Sequence, residues 1–327
     1  MHHPLYAPLL ACALFTAFGL STGDVHAQGA SGKSTIRIVV PYGSGGAPDV
    51  LGRLLAQKMT ESMGQPVIVD NKPGASGIIA AEFVMKAAPD GNTLFLADTG
   101  HLAINPALNP KLPYSPLRDF TPVAQAIYSP FFLFAQTSLG VQSVKELIAL
   151  AKAKPGLNYG TSGNGTPHHL CMALFANGTG TDMTHVPYKG VAQSIPALAA
   201  GDVTLMCTSP LTGMPVVRAG KARVLAVASL KRSPVMPEIP TLAESGVPDI
   251  EVGASVGLLL PAGAARDVVQ RLASEIMAAV SSPDATARMV ALGQEVVPRG
   301  PDQYAELMRN ELQNYARSVK ISGAKLD

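Results

Sequence analysis

Two stretches of this chain repeat one order of residues: a short apolar run, a glycine-rich break, then an apolar stripe at helical spacing. In the first, Ile36 to Val40 is β-branched except for Arg37 and reads as a buried strand. Pro41-Tyr42-Gly43-Ser44-Gly45-Gly46 ends it, and Val50, Leu51, Leu54, Leu55 and Met59 mark a helical face that stops at Gly64. In the second, Leu157 to Gly160 is the strand, Thr161-Ser162-Gly163-Asn164-Gly165-Thr166 the break, and a helix runs through Ala176. A strand feeding a helix through a glycine turn is the repeating unit of α/β folds.

The first unit continues through a strand at Val67–Val69, a helix at Ile78–Ala88 and a strand at Thr93–Ala97. This β-α-β-α-β opening predicts a parallel sheet with right-handed crossovers. Asn105 to Pro122 is Pro-rich and reads as a long surface connection, after which Phe131–Ala135 is a fresh strand. Ser143 with Glu146 makes a capping box for a helix reaching Lys154. Strands are predicted at Val203–Cys207, Val224–Ala228 and Gly257–Leu260, with helices at Ala264–Val280 and Pro301–Val319. A chain of 327 residues, 47% hydrophobic, has the length for about two domains. Lys plus Arg is 25 against 23 for Asp plus Glu, so the basic excess of a nucleic-acid binder is missing.

The N-terminus reads as an export leader. Leu5 to Leu20 is mostly apolar and too short to span a bilayer, and Val25-His26-Ala27 has the small-x-small form of a cleavage site. The predicted signal peptide is 1–27, and the exported, mature chain starts at Gln28. Cys12 after Leu9-Leu10-Ala11 has the outline of a lipoprotein box, but apolar residues continue beyond it and that reading is set aside. A Walker A pattern ending Gly32-Lys33-Ser34 is rejected, since no strand precedes it and no helix follows. The mature chain keeps only Cys171 and Cys207. They fit either one disulfide or two buried thiols, and the thiols are placed first.

The two glycine loops carry the functional argument. The first N–H groups of a helix have no intrahelical partner and sit at the positive end of its dipole. A glycine turn before them lets an anion approach closely. Neither loop has the Lys-Ser/Thr of a nucleotide loop, whereas Thr161, Ser162, Asn164 and Thr166 offer neutral hydrogen bonds that suit a carboxylate. Two such cradles across a cleft would hold a small dianion. Each has a plainer reading: a tight turn, with Asp49 a first-turn acid and Ser76-Gly77 a helix start. His168 and His169 are adjacent in a first helical turn, so their side chains diverge by about 100° and cannot share a ligand. No HExxH and no metal-ligand spacing is present, so no cofactor or metal is expected. A hydrolase using Ser162 or Ser76 with a histidine stands as the alternative.

The run Ile38-Val39-Val40-Pro41-Tyr42-Gly43-Ser44-Gly45-Gly46-Ala47-Pro48-Asp49, continuing to Arg53, resembles the opening signature of the Bug family, the extracytoplasmic solute receptors of tripartite tricarboxylate transporters. Further matches are Val69 to Gly77, Asp90 to Leu94, Leu112-Pro113-Tyr114 with Asp119-Phe120, and Tyr159 to Thr166 with His169-Leu170. His185 to Gly190, Arg218 to Lys221, Pro240 to Gly246 and Pro261-Ala262-Gly263 follow in the same order. The resemblance implies an α/β, two-lobed periplasmic binding protein of type II, each lobe a mainly parallel sheet flanked by helices. It implies crossings near Ser129 and Val252, so that 28–128 plus 253–327 form lobe one and 129–252 lobe two. It further implies a monomer that captures a small carboxylate for membrane permease subunits or a sensor protein, without enzymatic activity. The ligand-binding residues it points to are Gly45, Gly46, Asp49, Ser76, Thr161, Ser162, Gly163, Asn164, Thr166 and His169. The chain departs from relatives at Ser255, where Trp is usual, and at Thr204 and Thr208, where many carry Asp. The missing acids argue against an amino-acid ligand.

Overall fold

The computed structural model describes residues 34–247 and 250–324; the leader, its cleavage site and Cys12 lie outside them. The opening is β1 (Ile36–Val40), α1 (Ala47–Met63), β2 (Val67–Asn71), α2 (Ile78–Met85) and β3 (Thr93–Asp98). A π-helical turn at Gly100–Ile104 runs into α3 (Asn105–Leu108), and α4 (Pro116–Asp119) leads to β4 (Phe120–Pro130). The middle of the chain is β5 (Phe132–Gln136), α5 (Val144–Ala153), β6 (Leu157–Thr161), α6 (Pro167–Thr179) and β7 (Met183–Pro187). It continues with α7 (Val191–Ala200), β8 (Leu205–Thr208), α8 (Pro210–Arg218) and β9 (Ala222–Val227). The end is β10 (Gly253–Pro261), α9 (Arg266–Ser281), α10 (Pro283–Ala291), β11 (Glu295–Arg299) and α11 (Pro301–Ser322).

These strands form two sheets, ordered β11-β4-β10-β3-β1-β2 and β7-β6-β8-β5-β9. The chain leaves the first sheet after Pro130, enters the second at Phe132, and returns at Gly253. β1 is parallel to β2 and β3, and β6 is parallel to β7 and β8, as strand–helix–strand units require. The strands that cross between sheets run the other way: β10 is antiparallel to β3 and β4, and β5 to β8 and β9. Both sheets are therefore mixed rather than mainly parallel, because a chain that enters and leaves each lobe on adjacent strands must reverse there.

Alternation along β1 shows how the first sheet is covered. Ile36, Ile38 and Val40 face Leu51 and Leu55 of α1 and Leu272 and Ile276 of α9, while Val39 faces Ala81 and Val84 of α2 with Tyr304 and Met308 of α11. In the second sheet Leu133 and Ala135 pack toward α5 and α6, and Phe132 and Phe134 toward α7 and α8. One further apolar cluster joins the two lobes: Ala103, Ile104 and Leu108 meet Leu170 of α6 and Tyr315 and Val319 of α11.

Three further sequence expectations change. Asn105–Pro122 is not a surface loop: its prolines start α3 and α4, and Tyr114 and Phe120 are buried against Phe95 and Leu259. Cys171 and Cys207 form a disulfide instead of two free thiols, tying α6 to β8 with Cα atoms 6.1 Å apart. Their separation of 36 residues places the stabilisation at about 4 kcal/mol in the chain-entropy account. The capping box is skewed: Ser143 Oγ accepts the Glu146 N–H at 3.2 Å, but the Glu146 carboxylate takes the N–H of Gln142 instead of Ser143.

A half-buried carboxyl sits where the second crossing rejoins the first sheet. Glu311 on α11 accepts hydrogen bonds from Ser255 Oγ at 2.6 Å and from Thr99 Oγ1 at 3.2 Å, beside a cavity of about 470 Å³ lined also by Tyr128, Glu251, Glu295 and Tyr315. Burial pushes its pKa up to about 7, against the pull of the Ser255 and Thr99 hydroxyls and with help from Asp98 and Glu251. A folded-state pKa above the unfolded value means that the native protein holds this proton longer. Glu311 therefore lowers stability as pH rises from about 4.5 to about 7, by about 3 kcal/mol in all. In Glu311→Gln this slope should vanish. Urea unfolding of both proteins at pH 4.5 and pH 8 checks it, and a constant difference between the two would show that the carboxyl does not titrate in this window.

Candidate functional site

Loop one leaves β1 and enters α1 at Gly46, the helix N-cap, with Pro48 in the first turn. Asp49, 2% exposed, turns back under the loop. Its Oδ2 accepts the Gly45 N–H at 2.9 Å and Arg53 Nε at 3.0 Å, and its Oδ1 accepts Asn71 Nδ2 at 2.9 Å. The same Asn71 amide donates to the Tyr42 carbonyl at 3.0 Å. Burial alone would raise the Asp49 pKa, but the hydrogen bonds from Arg53, Gly45 and Asn71 hold it below the usual carboxylate range. Asp49 therefore shapes the loop from behind. Gly46 is extended (φ −76°), and a Cβ there would meet only Pro48 Cδ at 3.8 Å, so the outer side of the loop is open.

Beside loop one the chain makes a left-handed turn: φ is +123° at Gly74, +46° at Ala75, +51° at Ser76 and +84° at Gly77. Left-handed Ala and Ser each cost on the order of 1 kcal/mol, strain of the sort that collects at functional sites. A Cβ on Gly77 would run into the His101 ring and come within 3.3 Å of Pro41 Cβ, so this turn lies against the base of loop one. His101 Nδ1 is 2.8 Å from Asp98 Oδ1, and Tyr42 Oη donates to Asp98 Oδ2 at 2.5 Å. The Ser76 carbonyl accepts Asn105 Nδ2 of α3 at 2.8 Å.

Loop two repeats the construction with different residues. Thr161, with no exposed surface, accepts the Gly163 N–H on Oγ1 at 3.2 Å, and the same oxygen lies 2.7 Å from His185 Nε2. His169 Nδ1 accepts the Gly165 N–H at 3.1 Å, which assigns its remaining proton to Nε2. Tyr159 and His185 are register partners on β6 and β7 and stack at 5.2 Å; His169 adds a third ring, 3.9 Å from His185. Burial, helped by neighbouring His185, pushes the His169 pKa down to about 4. Thr166 caps α6, accepting the His169 N–H at 3.4 Å while donating to the Gly163 carbonyl at 2.8 Å.

The two adjacent histidines diverge as the helical spacing requires. His168 turns to Ser162, whose Oγ is 2.8 Å from its Nδ1, and packs on Phe131 at 4.9 Å. This is the serine–histidine contact that the hydrolase alternative asked for. Burial holds the His168 pKa at about 4, too low for a base that must take a serine proton near neutral pH. Among the described residues no group of acids, histidines and cysteines could hold a metal ion, and no helix is long and apolar enough to cross a membrane.

The loops lie in a contact series. Loop one abuts the Ser76 turn, the turn is tied to α3, and Leu108 of α3 lies where a Cβ on Gly165 would sit. Gly45, Gly46, Ser76, Ser162, Gly163, Asn164 and Thr166 thus belong to this region as surface elements. Asp49, Thr161 and His169 support it from behind. The sequence reading left out Arg53, Asn71, Asn105 and His185; the β6–β7 register that places His185 beside Tyr159 is invisible in one strand's sequence. Ser255 Oγ donates to Glu311, Thr204 Oγ1 donates to the Asn158 carbonyl at 2.8 Å, and Thr208 pairs with Thr212 at 2.7 Å, so all three departures from relatives are held by internal partners.

A two-sheet α/β molecule with a glycine loop at the helix entrance of each lobe has the form of a solute receptor. The chain belongs to the tripartite tricarboxylate transporter family receptors, whose sequence profile matches residues 51–323. It is 36% identical over 307 residues to a protein encoded in the tcbD–tcbE intergenic region of a Pseudomonas species, covering 93% of this chain and 91% of that one. Protein BugT of Bordetella pertussis is 33% identical, covering 89% and 90%. Among solved structures, R. palustris Rpa4515 with adipate superposes at a TM-score of 0.80 with 35% identity, over 89% of this chain and 98% of that one. MatC from Rhodopseudomonas palustris with bound malate gives 0.75 and 33%, over 87% and 98%. The family is one of receptors, and the hydrolase alternative is set aside.

Removing the internal acceptors tests this division of labour. Asp49→Ala and Thr161→Val should each destabilise the fold by about 1–3 kcal/mol, the range for leaving buried donors unpaired. Gly46→Val should leave stability within about 0.5 kcal/mol. Urea midpoints of the three variants decide it; an unchanged midpoint in Asp49→Ala would mean that loop one does not depend on that carboxylate.

Proposed function

We propose that this protein is an exported receptor that captures a small carboxylate between its two lobes and delivers it to membrane permease subunits or a sensor protein. The observation that carries the reading is the pair of glycine loops, each with its inward N–H already satisfied by a buried side chain and its outer side left to a ligand. The adipate and malate in structures of relatives supply the carboxylate chemistry. Lobe one is 28–128 plus 253–327 and lobe two 129–252, the leader is cleaved near Ala27, and the mature chain works in the periplasm as a monomer. Ligand contacts come from Gly45, Gly46, Ser76, Ser162, Gly163, Asn164 and Thr166, with Asp49, Thr161 and His169 holding the loops in shape. A di- or tricarboxylate or an aromatic acid suits two cradles. Thr204 and Thr208 supply no acid for an ammonium.

A thermal-shift screen of the chain from Gln28, unfolded and refolded to strip any bound acid, tests the proposal. The panel holds mono-, di- and tricarboxylates, aromatic acids and amino acids. At a hundredfold excess over Kd a ligand adds about 2.7 kcal/mol of stability, and the shift should be confined to one carboxylate class. Gly46→Val and Ser162→Ala should then weaken binding about tenfold to a hundredfold, the range for one charge-assisted hydrogen bond. A stripped protein that responds to no acid, or variants that bind as tightly as the parent, would refute the assignment.

A further inference from the structure

Leu108 stands where an element of the first lobe meets the glycine loop of the second. It ends α3, a single helical turn whose Asn105 is fastened to the Ser76 carbonyl at 2.8 Å. Its side chain fills the space beside Gly165: a Cβ at that position would collide with Leu108 Cδ1 and lie 3.4 Å from Cγ and Cδ2. Gly165 (φ +68°) is itself fixed, because its N–H is held by His169. Behind the contact lies the mixed apolar cluster of Ala103, Ile104, Leu170, Tyr315 and Val319, drawn from both lobes and from α11. No local pattern points to this contact, since α3 falls in the Pro-rich stretch that reads as a connection.

We propose that Leu108 and Gly165 form an interlobe latch, in which a leucine of lobe one seats on the bare backbone of the lobe-two loop and holds the two cradles in facing register. The apolar contact exists only when the lobes are together, so it stabilises the state in which both loops can reach one ligand. Gly165 is a glycine for two reasons: it takes a left-handed conformation, and its missing side chain is the seat for Leu108. The latch links Ser76 to loop two through Asn105 and Leu108, which couples closure to the shape of the strained turn.

The part of the test that concerns lobe contact needs no ligand and does not rest on the carboxylate reading. Spin labels at Lys86→Cys and Lys152→Cys, both exposed and one on each lobe, report the interlobe distance by pulsed electron resonance. Leu108→Ala should lengthen or broaden that distribution, with an unchanged far-ultraviolet spectrum. An identical distribution would overturn the latch. With adipate or malate, whichever shifts the parent protein, Leu108→Ala should bind about tenfold more weakly, the loss for a partly buried leucine truncated at an apolar contact. Gly165→Ala should also weaken binding, but in the Leu108→Ala background its further effect should shrink, because the clash has gone. Strictly additive effects would overturn the seat. If the stripped parent responds to no acid of the panel while the spin-label distances still respond, the carboxylate reading fails and the latch stands.

Discussion

Backbone amides in a glycine turn need acceptors, and the site of this protein is built around that demand. A loop with no side chains cannot hold its own shape, so its neighbours must. In loop one the acceptor is Asp49, anchored by Arg53 and Asn71; in loop two it is Thr161 for Gly163 and His169 for Gly165. The inward amides are satisfied in this way, and what remains on the outer side is positioned in advance. Preorganisation of that kind reduces the ordering that a ligand must impose on binding. Asp49 shows the arrangement: both of its carboxylate oxygens are engaged by Gly45, Arg53 and Asn71, and the loop is held from behind.

The two lobes solve the same problem with different chemistry, and the difference matters for pH. Loop one depends on an ionised carboxylate whose pKa is held low. Loop two depends on imidazoles kept neutral by burial. His168 and His169, with pKa values near 4, add stability above about pH 6.5 that is lost as pH falls toward 4, since the unfolded chain binds those protons first. Glu311 at the crossing works the opposite way over nearly the same range. The native protein thus carries opposing proton linkages, one in the second glycine loop and one where the second crossing rejoins the first sheet.

The crossings decide which parts of the chain can become neighbours. β4 and β10 lie side by side in the first sheet and lead into β5 and out of β9 in the second. The glycine loop after β1 and the turn after β2 stand at one edge of the first sheet, while the 470 Å³ cavity beside Glu311 and β11 stands toward the other. This separation puts the loops and the charged cavity on opposite sides of the connecting strands. The Cys171–Cys207 disulfide braces the second lobe from within, fixing the helix that carries loop two to the strand beside β6.

Local order was legible in the sequence wherever one segment carried its own reason. β1, α1 and α6 follow from periodicity, the two loops from their glycines, and the divergence of His168 from His169 from helical geometry alone. The strands that were missed are those whose reason lies in a partner. β4 is broken by Pro122 and carries a buried Gln125; β7 and β11 are edge strands containing Pro187 and Pro298, a residue tolerated only where no ladder hydrogen bond is needed. The sequence by itself determined the α/β class, the family and the two glycine loops, because backbone freedom and hydrophobic period act over a few residues. Only the tertiary structure decided that Asp49, Thr161 and His169 face inward, that two cysteines 36 residues apart are bonded, and that Leu108 meets Gly165. Those facts depend on distances between segments far apart in the chain, which packing sets and no local pattern encodes.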